Sequence, residues 1–437
     1  MQGKLLVCVC AAAAVVCVAR ASRHDAYSRA TVFGVQLRNS SDLELLHNLE
    51  LELHLDMWQY GMPRQRDAMV MVPPHARDQF LTSLDTEGVG HYVHIEDVAQ
   101  ALEKHDADIS SWRSSRAPRM IFQDYQRYAE IDAYMETVQA RYPNLVTVVN
   151  AGKSFEGRDI KYLKISTTNF ADRSKPVYFM EAMIHAREWV TTPVALYSVY
   201  RLVENLRPQD RDLLHDIDWI ILPVVNPDGY EYSHTTDRLW RKTRSIDESI
   251  STTCVGVDGN RNFDVRHGQG TPADPCQNTY AGPRPFSEPE TGYVRDILAE
   301  HKDRVQIFMD IHSHGNYVLF AYGDTTLPPN ALQIFLVGAA MGAAMDAIKL
   351  PQAGFYRVGN SASVLYPSSG SAQDYGQVAG AATSYTLELP GYGYGFLVPP
   401  HYMDHVNEET WQGIAVTARY SRALYRQRYN AASNTQP

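Results

Sequence analysis

The chain is poor in cysteine: five in 437 residues, and three of them (Cys8, Cys10 and Cys17) fall within the first 21 positions. Without that segment only Cys254 and Cys276 stay, an even pair that reads as one disulfide in an oxidising compartment. Such a bond closes a loop containing Asn260 and Arg261, and the chain-entropy account puts its contribution at about 3 kcal/mol. Basic residues are outnumbered, 40 against 50 acidic, for a formal charge of −10 at pH 7. That balance offers no field for a polyanion and argues against nucleic acid as a partner. No apolar run reaches the length of a membrane span, no repeat is visible, and the one low-complexity stretch is Ala11 to Ala14.

The first 21 residues combine Lys4, an apolar run from Leu5 to Val18 and the small-residue pattern Ala19-Arg20-Ala21. This is the layout of a cleavable signal, so segment 1–21 is expected to be removed and the chain secreted to the extracellular space. The remaining length suits two folded units, and 44% hydrophobic residues supply a large core. Residues 22–108 pattern as strand (31–37), helix (41–53), strand (68–72), helix (75–87) and strand (90–95), a small open-sandwich α/β unit with no cluster of ligands or nucleophiles. Residues 109–119 carry Arg113, Arg116 and Arg119 among serines, an activation linker suited to a trypsin-like protease. Residues 120–437 form the second unit. Its apolar strands at 146–151, 160–165, 176–182, 219–225 and 305–311 are separated by helical stretches, which predicts an α/β/α arrangement with the sheet covered on both faces.

One stretch concentrates chemistry. His185-Ala186-Arg187-Glu188-Trp189 follows the apolar run 176–182, at a strand-to-helix junction, where α/β sheets gather ligands. Three residues apart, His185 and Glu188 can face one point if the backbone turns, and imidazole with carboxylate is an ordinary zinc pair. Two ligands do not hold the ion. A second strand delivers His312-Ser313-His314 at its end, 124 positions beyond Glu188 (312 − 188), close enough in fold terms to reach the same crevice.

His185-Ala186-Arg187-Glu188-Trp189 with a distant Ile311-His312-Ser313 resembles the zinc carboxypeptidases of the pancreatic A/B type, and the likeness covers nearly the whole chain in the order leader, propeptide, catalytic domain. The resemblance implies an α/β/α catalytic domain with a mixed central sheet behind an inhibitory open-sandwich propeptide. It implies one Zn2+ held by His185, Glu188 and His312. Arg241, after Trp240, would stabilise the oxyanion, and Glu388 would be the general base. Asn260 and Arg261 would grip the substrate's terminal carboxylate, with Asp258 behind His185. Tyr366 would close over the substrate, and Arg187 and Arg238 resemble outer binding arginines. The partners implied are peptide or protein C-termini and a trypsin-like activating protease; no membrane is expected, and the chain is expected to be monomeric.

The resemblance is less informative about which side chain is released. The position before Asp374 sets that preference in the family, and here it is Gln373, neutral where a basic-specific enzyme carries an acid. Ser361 adds polarity, and Asp310 adds negative charge if it faces inward. An A-like or broad preference is the expectation, with preference for basic residues the alternative.

Overall fold

The structure is a computed structural model describing residues 22–115 and 119–433. The expected signal segment 1–21 and the candidate cleavage residue Arg116 lie outside the described residues. The N-terminal domain comprises β1 (Thr31–Gln36), α1 (Ser40–Leu53), β2 (Asp56–Gln59), β3 (Ala68–Val72), α2 (Arg77–Thr86), β4 (Gly90–Ile95) and α3 (Val98–Ser114). Its antiparallel sheet runs β2-β3-β1-β4. The Asn39 side chain starts α1 by accepting from the Asp42 N–H at 3.0 Å. Alternation along β1 sends Phe33 and Val35 into a core with Leu46, Leu49, Phe80 and Leu84 of the helices. Val32 points the other way, into a cluster where Trp58 and Leu102 meet Leu239 and Phe396 of the second domain. One sheet face thus builds the domain and the other seats it.

Position 108, the expected end of the first unit, lies within α3, which runs to Ser114 because Asp97 caps it and Val98, Leu102, His105 and Ile109 recur on one buried face. Ile109 even joins the core of the second domain. Arg113 is therefore no free connector residue: its Nε donates to Asp124 Oδ2 and its Nη2 to the Tyr125 carbonyl, both at 2.6 Å. The Arg119 guanidinium lies over the Trp112 ring at 4.6 Å. β2, four residues long, was not expected at all, and it matters for the site.

The second domain contains α4 (Tyr128–Arg141), β5 (Val146–Lys153), β6 (Asp159–Ile165), β7 (Val177–Ala182), α5 (Thr191–Val199), α6 (Arg211–His215), β8 (Asp218–Leu222), α7 (Pro227–Thr235) and α8 (Pro289–His301). It continues with β9 (Val305–Ser313), β10 (Tyr317–Phe320), α9 (Ala331–Asp346), β11 (Arg357–Asn360), α10 (Ser361–Val364), α11 (Ala372–Val378), β12 (Thr383–Leu389) and α12 (Met403–Ser433). The sheet order is β11-β10-β12-β9-β7-β8-β6-β5. The central strands β12, β9, β7 and β8 run parallel, while β10 against β12, β6 against β8 and β5 against β6 are antiparallel, so the sheet is mixed.

Both faces are covered. Tyr178 and Met180 of β7 pack with α4, α5, α9 and α12 residues such as Met135, Val194, Ile334 and Trp411. Val177 and Phe179 pack on the opposite side with Val294 and Ile297 of α8. Each such buried apolar side chain is worth about 1.5–3 kcal/mol, which accounts for the uninterrupted apolar run that made β7 legible. Among the described residues no helix is long and apolar enough to cross a membrane. The parallel arrangement brings the carboxyl ends of β7, β9 and β12 to one edge of the sheet.

Candidate active site

The chain leaves β7 through Met183, held at φ 62°, a conformation that residues with a side chain adopt at a cost and that collects at functional sites. The turn that follows is closed by the Glu188 N–H donating to the His185 carbonyl at 3.2 Å, before α5 begins. His185 and Glu188 consequently face one point: His185 Nδ1 lies 2.8 Å from Glu188 Oε1. β9 ends in His312, whose Nδ1 is 3.0 Å from both Glu188 Oε2 and His185 Nδ1. The Ser313 N–H donates to the same carboxylate oxygen at 3.1 Å. All three side chains are buried, and one ligand atom from each lies within 4.8 Å of the others.

The donor chemistry fits a divalent ion. His185 Nε2 sits 3.0 Å from Asp258 Oδ1, and a carboxylate only accepts, so the ring proton is at Nε2 and Nδ1 offers a lone pair. An imidazole lone pair, a second imidazole and a carboxylate converge without enough protons to satisfy one another, which is the situation a zinc ion resolves while leaving a fourth position for water. Burial opposes ionisation of Glu188, but His185 and His312 hold it well below the usual carboxylate range. Removal from water likewise opposes ionisation of Asp258, and Arg241 followed by His185 pulls it well below its usual value.

Asp258 links two functional groups. Its Oδ1 holds His185, and its Oδ2 accepts from Arg241 Nη2 at 2.9 Å and Nε at 3.1 Å. Arg241 Nη1 is 3.9 Å from Glu188 Oε1, so the guanidinium borders the cluster. Two residues on, Asn260 points its Nδ2 to within 3.1 Å of His312 Nε2 while its Oδ1 accepts from the Ala372 N–H. Arg261 donates to the Asn260 carbonyl at 2.7 Å and to the Tyr366 hydroxyl at 2.8 Å. Gly370, at φ 67°, is needed there, because a Cβ would come within 2.1 Å of the Arg261 carbonyl. The Cys254–Cys276 disulfide closes the loop that carries these groups.

Glu388 stands on β12 directly opposite His312 in register. Its Oε2 has no hydrogen-bond partner. Removal from water pushes its pKa up to about 8; His312 and Arg241 oppose the rise and Glu188 and Asp310 add to it. A carboxyl poised near neutrality can take and return a proton. Gln373, Ser361, Leu319, Leu365 and Thr386 line the same cavity, which has about 90 Å³ of free space.

The space is small because the N-terminal domain fills it. Asp56 of β2 takes the Arg187 guanidinium, Nη1 lying 2.9 and 2.7 Å from its two carboxylate oxygens, and Arg187 also stacks over Phe396 at 4.3 Å. Tyr60 lies against Tyr366 with ring centroids 4.0 Å apart. Sequence reasoning missed Trp58 and Tyr60 as groove residues and Asp56 as the partner of Arg187, since what places them is the docking of one domain on the other; His314, just after β9, lines the groove as well. Arg238 does not belong with the groove residues. It is fully buried behind them, donating to the Arg187 and Phe396 carbonyls at 2.8 and 2.7 Å with its guanidinium 3.7 Å over Trp189, so it props Arg187 from behind.

Comparisons with known proteins agree with this geometry. The family model for the zinc carboxypeptidases matches residues 131–413, and that for the carboxypeptidase activation peptide matches 33–105. The chain is 41% identical over 422 residues to a carboxypeptidase B of Helicoverpa zea, covering 94% of this chain and 98% of that one. It is 34% identical over 408 residues to carboxypeptidase A2 of Mus musculus, covering 91% and 96%. The crystal structure of the carboxypeptidase A from Helicoverpa armigera superimposes with a TM-score of 0.88 at 43% identity, over 91% of this chain and 98% of that one. The chain therefore belongs to the zinc carboxypeptidase family, a metallocarboxypeptidase preceded by its activation peptide, with a His185–Glu188–His312 group able to bind the metal.

Proposed function

We propose that the protein is a secreted zymogen that, once activated, releases single amino acids from the C-termini of peptides and proteins, with one zinc ion per chain. The observation that carries this reading is the adjacency of Asn260 and Arg261 to the metal-binding group: Asn260 reaches His312 and Arg261 is its neighbour. A free chain end differs from an internal amide by its carboxylate, and a planar guanidinium recognises that group. Segment 1–21 acts as the signal, 22–108 as the inhibitory propeptide, 109–119 as the region of activating cleavage by a trypsin-like protease, and 120–437 as the catalytic domain.

His185, Glu188 and His312 hold the ion. The chemistry zinc supplies when bound by such a set is acidification of water and polarisation of a carbonyl. Glu388 accepts the proton released as water adds to the scissile carbonyl and delivers it to the leaving amine. Arg241 meets the charge that develops on the carbonyl oxygen. Arg261 and Asn260 hold the terminal carboxylate, Tyr366 closes over it, and Arg187 becomes available to the substrate once Asp56 has left.

Side-chain preference is A-like or broad, supported by the neutral Gln373 in the pocket, whose wall Ser361 makes more polar than an A-type pocket usually is. A basic preference would draw on Asp310, but one of its oxygens is committed to His312 at 2.7 Å. The test is trypsin treatment followed by hydrolysis of blocked dipeptides ending in Phe, Lys, Glu or Gln, with and without a zinc chelator. Turnover is expected only after trypsin, lost with the chelator, and not faster for Lys than for Phe. A strong preference for Lys selects the alternative, and chelator-resistant turnover overturns the zinc reading.

Arg261→Ala in the activated enzyme is expected to raise KM for free-ended substrates about 10- to 100-fold, the worth of one charge-assisted contact, with a smaller change in kcat. Unchanged KM would place the clamp elsewhere.

A further inference from the structure

We infer that Asp310 is a positioning residue for His312, fixing its ring and its proton as Asp258 does for His185. The inference rests on the zinc reading above. Asp310 Oδ2 lies 2.7 Å from His312 Nε2, closer than the 3.0 Å between Asp258 and His185. The two side chains leave the same face of β9, being two residues apart, and both are removed from solvent. Thr386, opposite Asp310 on β12, donates its hydroxyl toward the same oxygen at 3.4 Å.

A carboxylate cannot donate, so the contact places the ring proton on Nε2 and turns the Nδ1 lone pair to Glu188 and His185. Asn260 Nδ2 also lies 3.1 Å from Nε2, but its Oδ1 is occupied by the Ala372 N–H and offers the ring no acceptor, so the closer Asp310 oxygen at 2.7 Å decides where the ring proton lies. Glu181 is the other acid at this level, facing Asp310 in register from β7. It is fully buried and neither of its carboxyl oxygens has a partner. Burial raises its pKa well above the usual value and Asp310 adds to the rise, and neither of its oxygens reaches the ring, so the acceptor at His312 Nε2 is Asp310. The pocket charge that the sequence suggested at Asp310 is thus spent on the metal-binding histidine, from behind.

The experiment equilibrates the full-length zymogen against zinc-buffered solutions and measures bound metal for wild type, Asp310→Ala, Asp310→Asn and Glu181→Gln. The visible absorption of the cobalt-substituted proteins and the thermal midpoints of the metal-free ones are read alongside. Wild type is expected to take up one zinc per chain, and Asp310→Ala to bind it about 10- to 100-fold more weakly with an altered cobalt spectrum. Asp310→Asn, which keeps the volume and an accepting oxygen, should fall between them with an unchanged metal-free midpoint; it carries the test if the alanine variant does not fold. Glu181→Gln should bind zinc like wild type. Wild-type affinity and cobalt spectrum in both Asp310 variants overturn the inference, and so does equal weakening by Glu181→Gln. A wild-type protein that takes up no zinc is a different result: it removes the zinc reading and this inference with it.

Discussion

Glu388→Gln is expected to lower kcat of the activated enzyme by about 100- to 10,000-fold, the range that one positioned proton acceptor supplies, while one zinc stays bound per chain. Glutamine keeps the length and volume of the side chain and the place on β12 opposite His312, so the groove keeps its shape. It removes only the ability to take a proton. Glu388 is free for that task because its Oε2 is unpartnered, and the groups around it leave the carboxyl close to balance between charged and neutral forms. The reaction needs the ionised form, so activity governed by Glu388 is present above its pKa and lost as pH falls through it. That acid limb should vanish from the residual activity of the variant. Bound zinc, a nearby positive charge, moves the limb below the value of about 8 that the side chains alone produce. A variant keeping more than about a tenth of the wild-type kcat would show that Glu388 is not the proton acceptor.

How much of this was legible in the sequence depended on range. His185 and Glu188 stand three residues apart after a fully apolar strand, so their pairing is a local matter of one turn. β9 and β7 announced themselves because both of their faces are buried, as parallel central strands require. β12 did not, since Ser384, Thr386 and Glu388 on one face alternate with Tyr385, Leu387 and Leu389 on the other, and the polar face is the site itself. His312 stood out by its place at the end of an apolar strand, whereas Asp258 and Arg261 became candidates only through likeness to a family, because nothing local distinguishes a loop residue that serves a site from one that does not.

The contacts between the two domains were illegible for a different reason. Asp56 is one acid in a short strand, and its meaning comes from Arg187, 131 residues away. Arg238 shows the converse error: three residues from Arg241, it resembles a binding arginine, but the chain between them turns it inward to two carbonyls. A motif specifies residue types, and tertiary packing decides which of them face the groove.

Arg241→Ala should lower kcat by about 100- to 1,000-fold, the loss found when one oxyanion donor is deleted, with KM little changed because the ground-state carbonyl carries little charge. Arg241 has a second attachment that complicates the outcome. It donates twice to Asp258, and Asp258 in turn holds His185, so deleting the guanidinium leaves a buried carboxylate with fewer partners. Two causes of the same kcat loss can be separated by measuring zinc affinity and adding guanidinium ion. If Arg241 acts on the substrate oxygen, zinc affinity stays near that of wild type and added guanidinium restores part of kcat. If it acts through Asp258 alone, zinc affinity falls in step with kcat, and the oxyanion role is overturned. The direct role is the expected one, because Asp258 keeps the Asn260 N–H at 2.9 Å and His185 Nε2 as donors after Arg241 is gone.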